Sequence, residues 1–251
     1  MLAFLQEYPA LTVGLPIFTL VLLFLDAILG RVLSGACSLY PGAIFHLDMN
    51  RVLLYLLFHQ NLPHWLLNSV ALATPLALYE RTHGTVNTGI TLNLLAVVTA
   101  IPYLIVGSLI FPNVHVVGLS GIVFLLLAFT AFKEHGHNPV LYTFKLSGRE
   151  YSIPTLWSPF FFLLVSVFMP GSSFWGHLFG ITTGYLLGMG KLDVLFPPLR
   201  AVIWIENKLA RPISSLDGLV TFIREEDAVA LRSVSYRPLF STPEVNVAGN
   251  V

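Results

Sequence analysis

The sequence predicts an all-α membrane protein: a bundle of six transmembrane helices with a long first loop and a cytosolic C-terminal tail. Three observations carry this. Charged residues make up 10% of the 251 residues and apolar residues 55%, whereas a soluble domain carries about 25% charged residues. Two blocks, 82–132 and 151–190, run for 51 and 40 residues without Asp, Glu, Lys or Arg. Each is about two crossings long, at about 20 residues per crossing, and each carries a breaker near its middle. The composition excludes a disordered chain, a nucleic-acid binder and an ordinary water-soluble globule. A net charge of zero implies no electrostatic partner. The single cysteine, Cys37, can form neither an internal disulfide nor a thiolate metal site.

The first span is expected at 9–29, an apolar segment interrupted only by Asp26. It lacks a basic leader and a small-residue cleavage site, so it reads as a retained span and not a signal peptide. With Glu7 and no Arg ahead of it, it does not read as a transit peptide. Residues 30–63 follow as a long loop, whose apolar run at 52–58 is too short to cross and suits a membrane-dipping or interfacial piece. The second span is expected at 64–79, between Pro63 and Glu80-Arg81. The first uncharged block divides at Phe111-Pro112-Asn113 into spans 89–110 and 117–132. The second divides at Pro170-Gly171-Ser172-Ser173 into spans 155–169 and 174–190.

Six spans put both termini on one side. That side holds 11 Lys and Arg against two, Arg31 and Arg51, on the other, and the short loops alone give four against two. Both termini are therefore expected in the cytosol. The chain divides into a six-span unit at 1–191 and a tail at 192–251. Within the tail, short helices are expected at 202–209 and 214–229, the second with Leu216, Leu219, Val220 and Ile223 on one face. The tail otherwise reads as solvated, its last fifteen residues flexible, with a weak regulatory role and room for a cytosolic partner. Tyr236-Arg237-Pro238-Leu239 has the Tyr-x-x-bulky form that trafficking adaptors read.

Polar groups inside hydrocarbon are costly, so each one asks for a reason. Ser120, between Gly118 and Gly121, lies near the start of the fourth span, about 5 Å inside the non-cytosolic boundary at 1.5 Å per residue. A serine among glycines serves helix packing or nucleophilic chemistry. His177 lies at the same depth and on the same side, near the start of the sixth span. There Gly176, Gly180, Gly184 and Gly188 recur every four residues and form a ridge that admits close packing. The ridge would bring the sixth span tight against the fourth and His177 within reach of Ser120. Leucine at Gly180 would force them apart, while Gly190, off the ridge, should tolerate alanine. A serine needs a base to take its proton, and a neutral imidazole suits that task. No carboxylate lies at this level, so a dyad is expected and not a triad. Phe124, one turn deeper than Ser120, can stack on the His177 ring. His64 and Asn68, four residues apart on the second span, serve either helix–helix hydrogen bonds or an oxyanion hole. His59 and His64 lack a carboxylate and the His-Glu-x-x-His spacing, so no metal is expected.

Three motifs together resemble the rhomboid family of intramembrane serine proteases. They are His-x-x-x-x-His-x-x-x-Asn at His59, His64 and Asn68, Gly-x-Ser-Gly at 118–121, and His-x-x-Gly-x-x-x-Gly at His177, Gly180 and Gly184. The resemblance implies Ser120 as nucleophile and His177 as base. It implies an oxyanion hole from His64, Asn68 and the Ser120 amide, with Gly118, Gly121, Phe124 and Gly180 in support. Arg51 matches an arginine of the family's first loop, although Asn50 stands where the family usually has Trp. Glu80 matches a structural glutamate. A narrower resemblance, to the fungal Golgi rhomboids, rests on 82–86, 151–156, 170–177 and 215–219, and implies a Golgi membrane, with the endoplasmic reticulum as the alternative.

The expected function is therefore cleavage of single-span membrane proteins near the lumenal face, in the lipid bilayer, without a cofactor. Two other classes stay open: a catalytically silent rhomboid-like protein that binds membrane clients, and a small channel or transporter. The first loses the serine or the histidine, and this chain has both. The second needs paired broken helices that the sequence lacks.

Overall fold

The computed structural model describes residues 8–216 and 218–233. The Tyr236–Leu239 motif and the last fifteen residues lie outside them. Helix α1 is Ala10–Ile28 and is followed by three short helices, α2 (Val32–Cys37), α3 (Ala43–His46) and α4 (Met49–Leu54). Then come α5 (Leu62–His83), α6 (Thr85–Ile110) and α7 (Ser120–His135). A two-stranded hairpin, β1 (Val140–Leu146) and β2 (Arg149–Pro154), leads to α8 (Ser158–Ser166) and α9 (Phe174–Gly188). The tail folds as α10 (Leu199–Lys208), α11 (Ala210–Ser214) and α12 (Glu225–Ser233).

The six expected spans correspond to α1, α5, α6, α7, α8 and α9. Of these, α1 and α6 are by themselves long and apolar enough to cross a membrane. Helix α8 with its preceding turn is apolar but shorter, and α5 carries His64, Asn68, Glu80 and Arg81. The bundle is apolar inside and out. Leu72, Leu76, Leu95, Leu119, Leu125 and Leu126 are fully buried between α5, α6 and α7, while Phe18, Val21, Phe161 and Leu164 are exposed on the outer surface. An apolar exterior suits a lipid solvent.

Local chemistry sets the helix starts. Asn61 caps α5 by accepting from the His64 amide at 2.8 Å, with Pro63 in the first turn. Ser173 caps α9 by accepting from the Gly176 amide at 3.2 Å. Helix α1 starts after Pro9 without a local cap, and its end is satisfied from a distance. The buried Glu80 carboxylate accepts from the Leu11 and Thr12 amides at 2.8 and 2.7 Å and from the Thr12 and Thr85 hydroxyls, each at 2.8 Å. Helices α5 and α6 are separated by Gly84 alone, at φ +81°, where the sequence suggested a loop of several residues.

The first loop is mostly helical turns. Arg51 ties it together, donating to the Gly35 and Ser38 carbonyls at 2.9 and 2.8 Å, pairing with Asp48 at 3.2 Å and lying over the Tyr40 ring. Asn50, in the position of the family's tryptophan, donates to the Ala36 carbonyl at 2.8 Å. Phe45, Leu47 and Met49 are exposed along this loop, but the run at 52–58, expected at the interface, is not. Val52, Tyr55, Leu56 and Phe58 are buried in the core, and the Tyr55 hydroxyl donates to Ala96 O at 3.1 Å, because the loop folds back onto α6 instead of lying along the membrane surface.

Further features differ from the sequence reading. The hairpin was not expected. It turns at Ser147 (φ +51°) and Gly148 (φ +76°), two consecutive positive φ values of the kind that tight hairpins use. The helix expected at 214–229 does not form. Gly218 turns at φ +82°, and the chain then runs along the bundle. Ala10 N donates to Thr221 O at 2.9 Å, Thr85 N to Ile223 O at 2.8 Å, and Ile223 N to the Thr85 hydroxyl at 3.0 Å. Backbone pairing with α1 and α6 outcompetes an amphipathic helix, and α12 starts only at Glu225. The described part of the tail packs on the bundle and is not simply solvated: Val202, Glu206, Ile213, Glu225 and Ala228 are all buried.

Candidate active site

Ser120 is the first residue of α7. Its amide is one of the N–H groups at a helix start that have no intrahelical acceptor, and it sits at the positive end of the helix dipole. Its position is set by the first loop. Leu39 and Val116 exchange backbone hydrogen bonds at 2.9 and 2.8 Å, and the Gly118 amide donates to Tyr55 O at 3.0 Å. Gly118 adopts φ +119°, which excludes most side chains, and a Cβ there would come within 2.9 Å of the His64 ring and 3.4 Å of Asn68 Nδ2. The glycine therefore brings α5 and the start of α7 into contact.

His177 lies one turn into α9 and is buried. The Phe124 ring stacks on it with centroids 4.3 Å apart and planes 22° from parallel. The glycine ridge explains how the helices approach. A Cβ on Gly180 would collide with the Gly121 carbonyl, and one on Gly184 with the Leu125 carbonyl. At Gly188 it would lie 2.7 Å from Phe132. Gly176, by contrast, meets only its own cap, Ser173. The close crossing thus starts at Gly180 and runs away from the site. Gly190 has φ +72°, so alanine there is strained, contrary to the sequence expectation.

These residues converge on one cavity of about 450 Å³, lined by His64, Asn68, Gly118, Ser120, Gly121, Phe124 and His177. Of the residues that line this cavity, His64 Nδ1 and Asn68 Nδ2 are buried polar atoms without a partner among the described residues; the amide is a donor, and the imidazole is one in the tautomer protonated at that nitrogen. Unpartnered buried donors are costly, and they are the equipment an oxyanion needs. Among the described residues no hydrogen bond joins His177 to Ser120. The imidazole bonds through Nδ1 to the Ser166 hydroxyl at 3.0 Å and, at the 3.5 Å limit, to Ser172, which leaves Nε2 without a partner. Neither serine stood out in the sequence, because a hydroxyl in an apolar helix or a turn carries no spacing signal. His59 is buried beside His64, with ring centroids 5.4 Å apart. Burial, and secondarily the His64 charge, pushes its pKa down to about 3. No group of three potential metal ligands occurs among the described residues.

A family profile described as "Rhomboid domain" matches residues 46–193. The chain belongs to the rhomboid family. The match takes in α5 to α9 and every lining residue named above. Similar rhomboids include a "Rhomboid-type serine protease 2" of Debaryomyces hansenii, 54% identical over 96% of this chain and 85% of its own length. Proteins with the same name from Candida albicans and Saccharomyces cerevisiae are 45% and 41% identical. These alignments cover 96% and 93% of this chain, and 86% and 87% of the relatives. The similarity thus extends beyond the profile into α1 and the packed tail of this rhomboid chain.

Proposed function

We propose that this chain is a serine endopeptidase that cuts single-span membrane proteins within the bilayer, close to the lumenal face. One observation carries the reading: a single cavity gathers a helix-start serine, a buried histidine stacked on Phe124, and two buried donors without acceptors. In this reading His177 Nε2 takes the Ser120 proton as Oγ attacks the scissile carbonyl. The developing oxyanion accepts from Asn68 Nδ2, His64 and the Ser120 amide. His177 then gives the proton to the leaving amine, leaving an ester on Ser120. Water, deprotonated by the same imidazole, hydrolyses that ester and restores both groups.

The finer assignments rest on the charge distribution. In this reading six crossings put both termini in the cytosol and the cavity at the opposite face, and the sequence resemblance to the fungal Golgi rhomboids at 82–86, 151–156, 170–177 and 215–219 supports a Golgi membrane. Co-expression of candidate single-span proteins with wild type and with Ser120→Ala tests the activity. Fragments are expected with wild type alone; equal fragments with both variants would leave the client-binding reading instead.

A further inference from the structure

The structure assigns Ser166, the last residue of α8, as the positioning residue that accepts the Nδ1 proton of His177 and so leaves Nε2 as the base; this rests on the serine–histidine chemistry proposed above. A neutral imidazole carries one proton, on one of two nitrogens. Only the nitrogen without it can take a proton from Ser120, so something must choose the tautomer. In a triad a carboxylate does so.

The choice follows from counting protons. Ser166 Oγ lies 2.8 Å from the Leu163 carbonyl oxygen and 3.0 Å from His177 Nδ1. A carbonyl oxygen only accepts. The one hydroxyl proton therefore belongs in the shorter bond, since two oxygens meeting at 2.8 Å with no proton between them would repel. The hydroxyl then presents a lone pair to Nδ1, and Nδ1 carries the ring proton. Ser166 and His177 are 6% and 5% exposed, so the contact between them is held inside the bundle and not on its outer surface. Ser172 Oγ, at 3.5 Å, is the weaker neighbour. Phe124 on α7 fixes the plane of the ring and Ser166 on α8 fixes its rotation within that plane. A neutral hydroxyl backed by a helix carbonyl thus does what a carboxylate does elsewhere, without the cost of burying a charge.

The test uses the full chain in lipid nanodiscs with 15N-labelled histidine. The His177 resonances are those lost in His177→Gln. Wild type is expected to show protonated Nδ1 and unprotonated Nε2. Ser166→Ala should lose that preference and Ser166→Thr, which keeps the hydroxyl, should retain it. In parallel, acylation of Ser120 by a fluorophosphonate should slow at least about tenfold in Ser166→Ala, since the tautomer governs much of the base's contribution, and return to within about twofold in Ser166→Thr. A wild-type ring protonated on Nε2, or a tautomer and acylation rate unmoved by Ser166→Ala, overturns the assignment. If wild type fails to react with the fluorophosphonate while Nδ1 is protonated, the protease reading falls and the assignment of Ser166 stands. A wild-type ring protonated on Nε2 overturns the assignment even where Ser166→Ala does not fold, and Ser166→Cys, a near-isosteric weak acceptor, then serves as the second variant, an unmoved tautomer and acylation rate there likewise overturning it.

Discussion

Asn68 is a buried amide whose Nδ2 has no acceptor among the described residues, and in the proposed mechanism that donor serves the oxyanion. Asn68→Ala should lower kcat by about 10²–10³ with little change in KM, the signature of an interaction made in the transition state. Cleavage of one reporter at matched membrane levels checks this, and an unchanged kcat would remove Asn68 from the oxyanion hole. His59 makes a pH prediction. Its folded pKa of about 3 lies below the ordinary 6.5, so below 6.5 the unfolded chain binds the proton that the folded one refuses. Its contribution to stability is complete above pH 6.5 and is lost progressively towards pH 3. Thermal midpoints of wild type should fall across that window, and those of His59→Phe should fall less; identical pH profiles would rule this out. At this scale the meeting of Ser120, His177, His64 and Asn68 in one cavity was legible because each sits in a spaced motif. Ser166 was not, because its role depends on which helix lies beside it.

The crossing of α7 and α9 is built from absent side chains. Gly180→Leu must displace one backbone from another, and a shift of about 1 Å can cost on the order of a hundredfold in rate when base and nucleophile must align. The variant should insert and orient normally yet cleave the reporter at about 1% of the wild-type rate. Gly14→Leu is the matched control, since nothing lies within 4 Å of a Cβ there. Full activity in Gly180→Leu would mean that the ridge does not set the site. The ridge was readable because a four-residue glycine period has one geometric meaning on a helix. The β1–β2 hairpin was equally written in the sequence. Tyr142, Phe144 and Leu146 alternate with polar residues, Ser147-Gly148 turns the chain, and Tyr151 and Ile153 alternate again. Helix-length apolar blocks on either side dominate such a short period-two signal. The tail misled in the opposite sense: its apolar residues fit a 3.6-residue period, but backbone partners on α1 and α6 drew 221–223 into extended pairing.

The whole molecule is fastened at the end opposite the cavity. Glu225 accepts from Asn87 Nδ2 at 3.2 Å and pairs with Arg232, while its amide donates to Glu206 at 3.0 Å. Glu225→Ala would leave buried partners unmatched, at about 2–3 kcal/mol. At about 2–4 °C per kcal/mol for a chain of this size, the thermal midpoint should fall by roughly 5–10 °C. Differential scanning fluorimetry in one detergent checks this; an unchanged midpoint would show that the tail adds nothing to the fold. Sequence could not reveal the fastening, because partners 138 residues apart share no local pattern. The fastening also bears on how the protein is made. A ribosome releases α1 with its first amides open. Glu80 closes them about seventy residues later, but the backbone groups of Tyr8 and Ala10 wait for Thr221, by which time every helix around the cavity has been synthesised. Translation that stops early, or a clip that removes the C-terminal segment, yields a product with all the chemistry and no final fastener. Such a product would lack the backbone pairing at Thr221 and Ile223 and the buried Glu225 contacts that close the bundle away from the cavity.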